Sequence, residues 1–261
     1  MFEGMPFLPK PAALHIPDGF LTPEVAALGW LLAIVTVWYA LRKTRSQLGE
    51  RQVPVLGVLA AFIFAAQTIN FPVAGGTSGH LLGGALAAVV LGPWAAVLVM
   101  TAVVGLQGFL FQDGGLLVMG WNILNMAVLT SLSAWLLYSV SVRLYSTGHR
   151  ATMVATALAS WVSVQVGAAA TALELAASGT AALSVTLPAM LAIHAVIGLG
   201  EGAITVSAVT LMRGARPDLL VAVKEDTIGG RSASIVAVGM LAALLLAALS
   251  LVASPDPDGL E

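Results

Sequence analysis

The sequence predicts an all-α fold, a polytopic membrane helical bundle of about eight membrane elements with both termini outside the cytoplasm. Of the 261 residues, 59% are hydrophobic and only 9% charged, whereas a soluble domain carries about a quarter charged residues. Mean hydropathy is +0.96. Apolar runs of the length a helix needs to cross hydrocarbon recur along the chain. Laid out in alternating directions, these runs gather the basic residues on one side, as cytoplasmic loops do.

The apolar runs lie at about 24–42, 53–70, 94–111, 116–142, 152–177, 183–212 and 233–253. The stretch from His80 to Leu91 is apolar but short, and it ends at Gly92-Pro93, so it reads as a short or re-entrant helix and completes the eight. Starting from an outside N-terminus, Arg42, Lys43, Arg45, Arg51, Arg143, Arg150, Arg213, Arg216, Lys224 and Arg231 share the cytoplasmic side. Of the eleven basic residues only Lys10 falls opposite. Merging the short helix with its successor would scatter these charges over both faces. The domain layout follows: an external segment 1–23, a membrane domain 24–212, a cytoplasmic loop 213–232, and a C-terminal helix with a polar tail at 233–261. Residues 1–23 have neither the basic n-region nor the apolar h-region of a secretory signal.

Composition excludes several classes of function. The chain has no cysteine, so disulfide frameworks, thiolate metal sites, cysteine nucleophiles and iron–sulfur clusters are all ruled out. A net charge of −2 excludes a large basic nucleic-acid surface. The G-x-x-x-x-G-K-[ST] pattern is absent, so the chain is expected to bind no ATP of its own.

The polar residues that sit out of place are the functional candidates. His80 ends Gly75-Gly76-Thr77-Ser78-Gly79-His80 at the expected start of the short helix. There Ser78 or Thr77 could cap exposed N–H groups, and the helix N-terminus favours neutral imidazole. His80 is either a metal donor or a capping histidine bonded to a carbonyl. His15 and Asp18 lie on the same external side, in His15-Ile16-Pro17-Asp18-Gly19-Phe20. Two histidines and a carboxylate suit a late first-row divalent ion, while a solvated His15 and a turn-forming Asp18 remain open. His194 and Glu201, seven apart in one span, share a helix face. An ionisable residue in a span is a functional candidate by default, and a hydrogen-bonded interior pair is the alternative. Glu174 reads as interfacial. Gln67, Asn70, Gln107, Asn122, Asn125 and Gln165 read mainly as interhelical glue. Gly29 and Ala33 form a small-xxx-small pair suited to close helix packing.

Four ordered segments, HIPDGF (15–20), FPVAGGTSGHLLGGALAAVVLGPWAAVLVM (71–100), QDGGLLVMGWNILNMAV (112–128) and HAVIGLGEGAIT (194–205), resemble the CbiM/NikM family over about residues 14–212. These are substrate-specific membrane components of energy-coupling factor (ECF) transporters for cobalt and nickel. The tail PDPDGLE (255–261) is similar to a segment of the small accessory subunit of these systems.

The resemblance implies capture of Ni²⁺ or Co²⁺ on the external face by a nearly planar nitrogen set. That set comprises an N-terminal amine, the amide nitrogen and imidazole of the following histidine, and a second histidine. It maps the chelating histidine onto His15, the second onto His80, and the amine onto Leu14 if the functional chain starts there. Asp18, Asn70, Asn122, Asn125 and Ser78 are assigned to loop ordering or the outer shell. It also implies as partners a transmembrane coupling subunit, two ATP-binding cassette ATPases and a small accessory membrane subunit, in a bacterial or archaeal cell membrane. Thirteen residues precede Leu14, and a mid-chain histidine lacks the amine. Trimming, a later start, or a different binding mode would each account for that. Two other functions are weighed against this one. The first is an S component for an organic micronutrient. The second is an intramembrane serine protease using Ser78 of Gly76-Thr77-Ser78-Gly79 with His194 as base.

Overall fold

The computed structural model describes residues 15–45, 53–68, 71–72, 78–145, 148–216 and 220, with backbone alone at 71–72, 78–79 and 145. Helices dominate: α1 (Pro23–Arg45), α2 (Val53–Gln67), α3 (Gly84–Leu91), α4 (Pro93–Phe111), α5 (Met119–Ile123), α6 (Thr130–Tyr145), α7 (His149–Ala177) and α8 (Leu183–Ala215). A π-helical turn, Leu124–Leu129, joins α5 to α6 without a break. The only extended pairing among the described residues is antiparallel, β1 (Phe71–Pro72) with β2 (Ser78–Gly79), in the register Phe71↔Gly79 and Pro72↔Ser78.

Five described runs are long and apolar enough to cross a membrane: Pro23–Arg45, Pro93–Phe111, Met119–Leu144, His149–Ala177 and Leu183–Ala215. Val53–Gln67 is a shorter apolar helix. The expected eighth span, 233–253, lies outside the described residues, as do Leu14 and Asn70. The stretch read as one short helix from His80 to Leu91 divides. Residues 80–83 form no helix, and α3 begins only at Gly84. Gly83 has φ +82 and no side chain caps the helix. That left-handed conformation suits glycine and stops the helix from propagating back to His80. Alone α3 rises about 12 Å, well short of a bilayer's roughly 30 Å core.

Hydrogen bonds between connections fix which helix ends lie together. Thr22 N–H donates to Ser178 Oγ (3.3 Å), Gly115 N–H to Ile16 O (2.8 Å), and Thr180 Oγ1 to Phe20 O. One pole therefore holds the start of α1, the end of α4, the start of α5 and the end of α7. Arg42, Lys43, Arg45, Arg143, Arg150, Arg213 and Arg216 lie at or beside the opposite ends of α1, α6, α7 and α8. There Arg42 lies over Trp38 at 4.0 Å from the ring centroid, the amphipathic pairing favoured at a membrane interface.

Packing explains how polar residues are tolerated in apolar surroundings. On α7, Thr156, Ser160 and Ser163 are buried and donate to the carbonyls of Thr152, Thr156 and Ser160 at 2.8–2.9 Å. Hydroxyls satisfied within their own helix leave a narrow face for close approach. On α8, Gly198 and Gly202 face Trp161 and Ala157 of α7. Leucine and isoleucine crowd the outside instead: Leu31, Ile34 and Leu199 are each about 60% exposed or more, consistent with a lipid-facing surface.

The tightest crossing is α1 on α5. Gly29 and Ala33 are both buried, and a Cβ on Gly120 would overlap the backbone of Gly29 and Trp30. Two indoles close the joint, Trp121 Nε1 donating to Val25 O (2.6 Å) and Trp30 Nε1 to Leu117 O (2.9 Å). Gly120→Ala is expected to cost about 1–3 kcal/mol through overpacking, read as a lower melting temperature in detergent. An unchanged melt would mean that the two helices are not held this close.

Candidate metal centre

Two histidines far apart in sequence meet at the pole where α1 starts. The His15 and His80 ring centroids are 5.2 Å apart with planes inclined at 56°, and the residues are 2% and 7% exposed. The spacing passes a simple test. Metal–nitrogen bonds of about 2.0–2.1 Å, added to an imidazole radius of about 1.1 Å, put the centroids of two rings sharing one ion roughly 4.4–6.3 Å apart.

His15 is delivered by a segment pinned at nearly every peptide. Ile16 N–H donates to Asn122 Oδ1 (2.8 Å), and Asn122 Nδ2 donates back to Ile16 O (3.1 Å), which also accepts from Gly115 N–H (2.8 Å). The carboxylate of Asp18 accepts from Leu116 N–H (3.1 Å), Leu117 N–H (2.8 Å) and Val118 N–H (3.3 Å). These donors lead into α5, where a carboxylate is favoured. The two loops approach so closely that a Cβ on Gly115 would fall on Asp18, and one on Gly114 would meet Asn122 and His15. Ile16 packs with Leu21, Val118 and Leu175 in a small core under the loop.

His80 follows β2 directly. Its Nδ1 lies 2.8 Å from Leu81 O. A carbonyl can only accept, so Nδ1 carries the proton and Nε2 is the lone-pair donor of the neutral ring. This corrects the expectation of a histidine at a helix N-terminus: His80 precedes α3 by four residues, and a carbonyl sets its tautomer.

The other candidates are placed differently. Glu201, 1% exposed, reaches from α8 to the segment after His80, its Oε2 accepting from Leu82 N–H and its Oε1 from Gly83 N–H, both at 2.8 Å. Gln67 Nε2 donates to Leu82 O (2.6 Å), and Gln107 Nε2 donates to Gln67 Oε1 (2.8 Å). His194 shares the helix with Glu201 but bonds within it, Nδ1 donating to Met190 O at 2.7 Å. Asn125 faces α7, where Nδ2 donates to Glu174 Oε2 (2.8 Å) and Thr171 Oγ1 (3.2 Å). Ser78 contributes backbone pairing with Pro72.

Sequence reasoning missed three features. Asp113 lies 3.6 Å from His15 Nδ1. Its place in Gln112-Asp113-Gly114-Gly115 beside two glycines was the available signal. Glu174, read as interfacial, is 5% exposed. Gln67 and Gln107, read as glue between helices, anchor the segment after His80 at Leu82 O. No group of three or more His, Asp or Glu side chains with metal-binding geometry occurs among the described residues, so a metal held here must draw on donors beyond those side chains.

The family model described as "Cobalt uptake substrate-specific transmembrane region", CbiM, matches residues 15–219. The chain belongs to the CbiM family. It is a multi-pass membrane protein of a transport family. A chain of Haloquadratum walsbyi named for metal transport is 44% identical over 209 residues, covering 79% of this chain and 93% of that one. The fused nickel transport protein NikMN of Rhodobacter capsulatus is 35% identical over 222 residues, 79% of this chain and 64% of that longer one. A solved structure described as a truncated transition metal transporter superposes with a TM-score of 0.70 at 31% identity, covering 77% of this chain and 99% of that chain.

Proposed function

We propose that this CbiM-family chain captures Ni²⁺ or Co²⁺ at the pole formed by His15 and His80, on the external face of the membrane, and hands it on as the substrate-specific component of an ECF transporter. The single observation that carries the reading is the 5.2 Å approach of two buried imidazoles, the His80 ring oriented by Leu81 O and His15 carried by a backbone that Asn122 holds at Ile16. Metal ligands are held in this way by outer-shell partners. Nitrogen donors suit late first-row divalent ions, and planar sets suit Ni²⁺ in particular. Leu14, as an N-terminal amine, and the His15 amide would complete the set that the family resemblance implies. Orientation rests on the basic residues of the opposite pole, which the positive-inside rule assigns to the cytoplasm. Nothing observed favours an organic micronutrient or a serine protease.

The chain has no phosphate-binding loop, so uptake against a gradient needs ATPase and coupling subunits. In a host without its own nickel or cobalt uptake, metal accumulation is expected to rise strongly only when those subunits are co-expressed. Strong ATP-dependent uptake by the purified chain alone in liposomes would refute the assignment.

A further inference from the structure

We propose that Glu201 is the positioning residue for His80, acting through one peptide plane. The Leu81 carbonyl that receives His80 Nδ1 (2.8 Å) and the Leu82 N–H that Glu201 Oε2 accepts (2.8 Å) belong to the same peptide unit. A peptide is planar and turns as a whole. Fixing its N–H therefore fixes the direction of its C=O, and with it the plane and tautomer of the imidazole. Gly83 N–H, bonded to Glu201 Oε1 (2.8 Å), prevents the next peptide from swinging. Gln67 holds the same residue from the acceptor side through Leu82 O (2.6 Å).

The result is a carboxyl–peptide–imidazole relay. In many metal sites a carboxylate orients a ligating histidine directly. Here a backbone amide is inserted between them, and its two hydrogen bonds polarise each other in the same sense. The carboxyl comes from the middle of α8, whose C-terminal end carries Arg213. The relay thus ties a residue at the metal-binding pole to the helix that runs to the basic pole. Glu201 is needed for this because it offers two acceptors side by side. A glutamine offers one acceptor and one donor, and its amide would face a backbone N–H across 2.8 Å.

The inference rests on the reading of His80 as a metal ligand, and the test separates the two. Full-length wild type, Glu201→Gln, Glu201→Asp and His80→Ala are purified in detergent. Ni²⁺ affinity is measured by chelator competition, and histidine ¹⁵N shifts are recorded on the metal-free protein. Glu201→Gln is expected to bind Ni²⁺ about 10–100-fold more weakly, with the His80 Nδ1 and Nε2 resonances displaced. Should that variant not fold, Glu201→Asp serves: its carboxyl is one methylene short, so at least about fivefold weaker binding and a displaced His80 signal are expected. Wild-type affinity in the variant that folds, or weakened binding with unmoved His80 resonances, would overturn the relay while His80→Ala still loses metal. Failure of the wild type to bind Ni²⁺, or wild-type affinity in His80→Ala, would remove the functional reading and the relay with it.

Discussion

Replacing His80 with alanine is expected to abolish retention of Ni²⁺ or Co²⁺ while leaving a folded, monodisperse protein. Loss of an outer-shell partner alone typically costs 10–100-fold in metal affinity, so removal of a direct nitrogen donor should cost more than about 100-fold. Folding should survive because the segment after His80 is held by Glu201 and Gln67 through backbone groups of Leu82 and Gly83, independently of the ring. Retention in the wild type should also decline as pH falls below about 6.5, where free imidazole protonates, because a protonated ring has no lone pair to give. Elemental analysis of protein after gel filtration reads both effects. Unchanged metal stoichiometry in His80→Ala would reduce the histidine to a residue that caps its own strand.

How far this site was legible follows from what each signal measures. Hydropathy reports transfer out of water, so the helices α1, α2, α4, α7 and α8 begin and end within a few residues of the apolar runs. The break at Gly92-Pro93 is where proline at N1 and a glycine at φ +81 place it. The same signal cannot distinguish an apolar non-helical segment from an apolar helix, so hydropathy alone runs residues 80–83 into α3. His15 and His80 stood out because histidine is rare in the chain, which has four. Their support was less visible, because it consists of backbone groups and amides meeting across 15 to 119 positions. Nothing in the spacing of Glu201 points to Leu82, and nothing near Glu174 points to Asn125. Glu174 looked interfacial because it lies near a helix end. It is buried because that end is covered by the α5–α6 rod and the loop carrying Ile16, a contact that only the tertiary fold creates.

If the ion is held by the nitrogen set that the family resemblance implies, the effect of placing residues 1–13 ahead of position 14 is expected to equal the loss of a ligand. An α-amine, the next residue's amide nitrogen and its imidazole close two fused chelate rings around one ion, an arrangement open only to a histidine at position two. The segment after His15 is already fixed for it: the Ile16 peptide groups are held by Asn122 and Gly115, so the backbone next to His15 has little freedom to lose on binding. The family resemblance implies an initiator methionine at the place of Leu14, and bacterial TTG and CTG codons read as leucine internally but start chains with methionine. Initiation there would give Met-His-Ile-Pro-Asp-Gly-Phe, and trimming after Ala13 would give a Leu-His terminus with the same donors. Protein produced from a start at position 14 should therefore bind Ni²⁺ at least about 100-fold more tightly than protein carrying residues 1–13, by the ligand-loss argument applied to His80. Intact mass of each protein, taken with its metal content, reads the comparison. If residues 1–13 are present in native protein that still binds Ni²⁺ tightly through His15, the amine chelate is wrong for this chain. The His15–His80 pair would then have to be completed by another donor, and Asp113, 3.6 Å from His15 Nδ1, would be the first residue to replace.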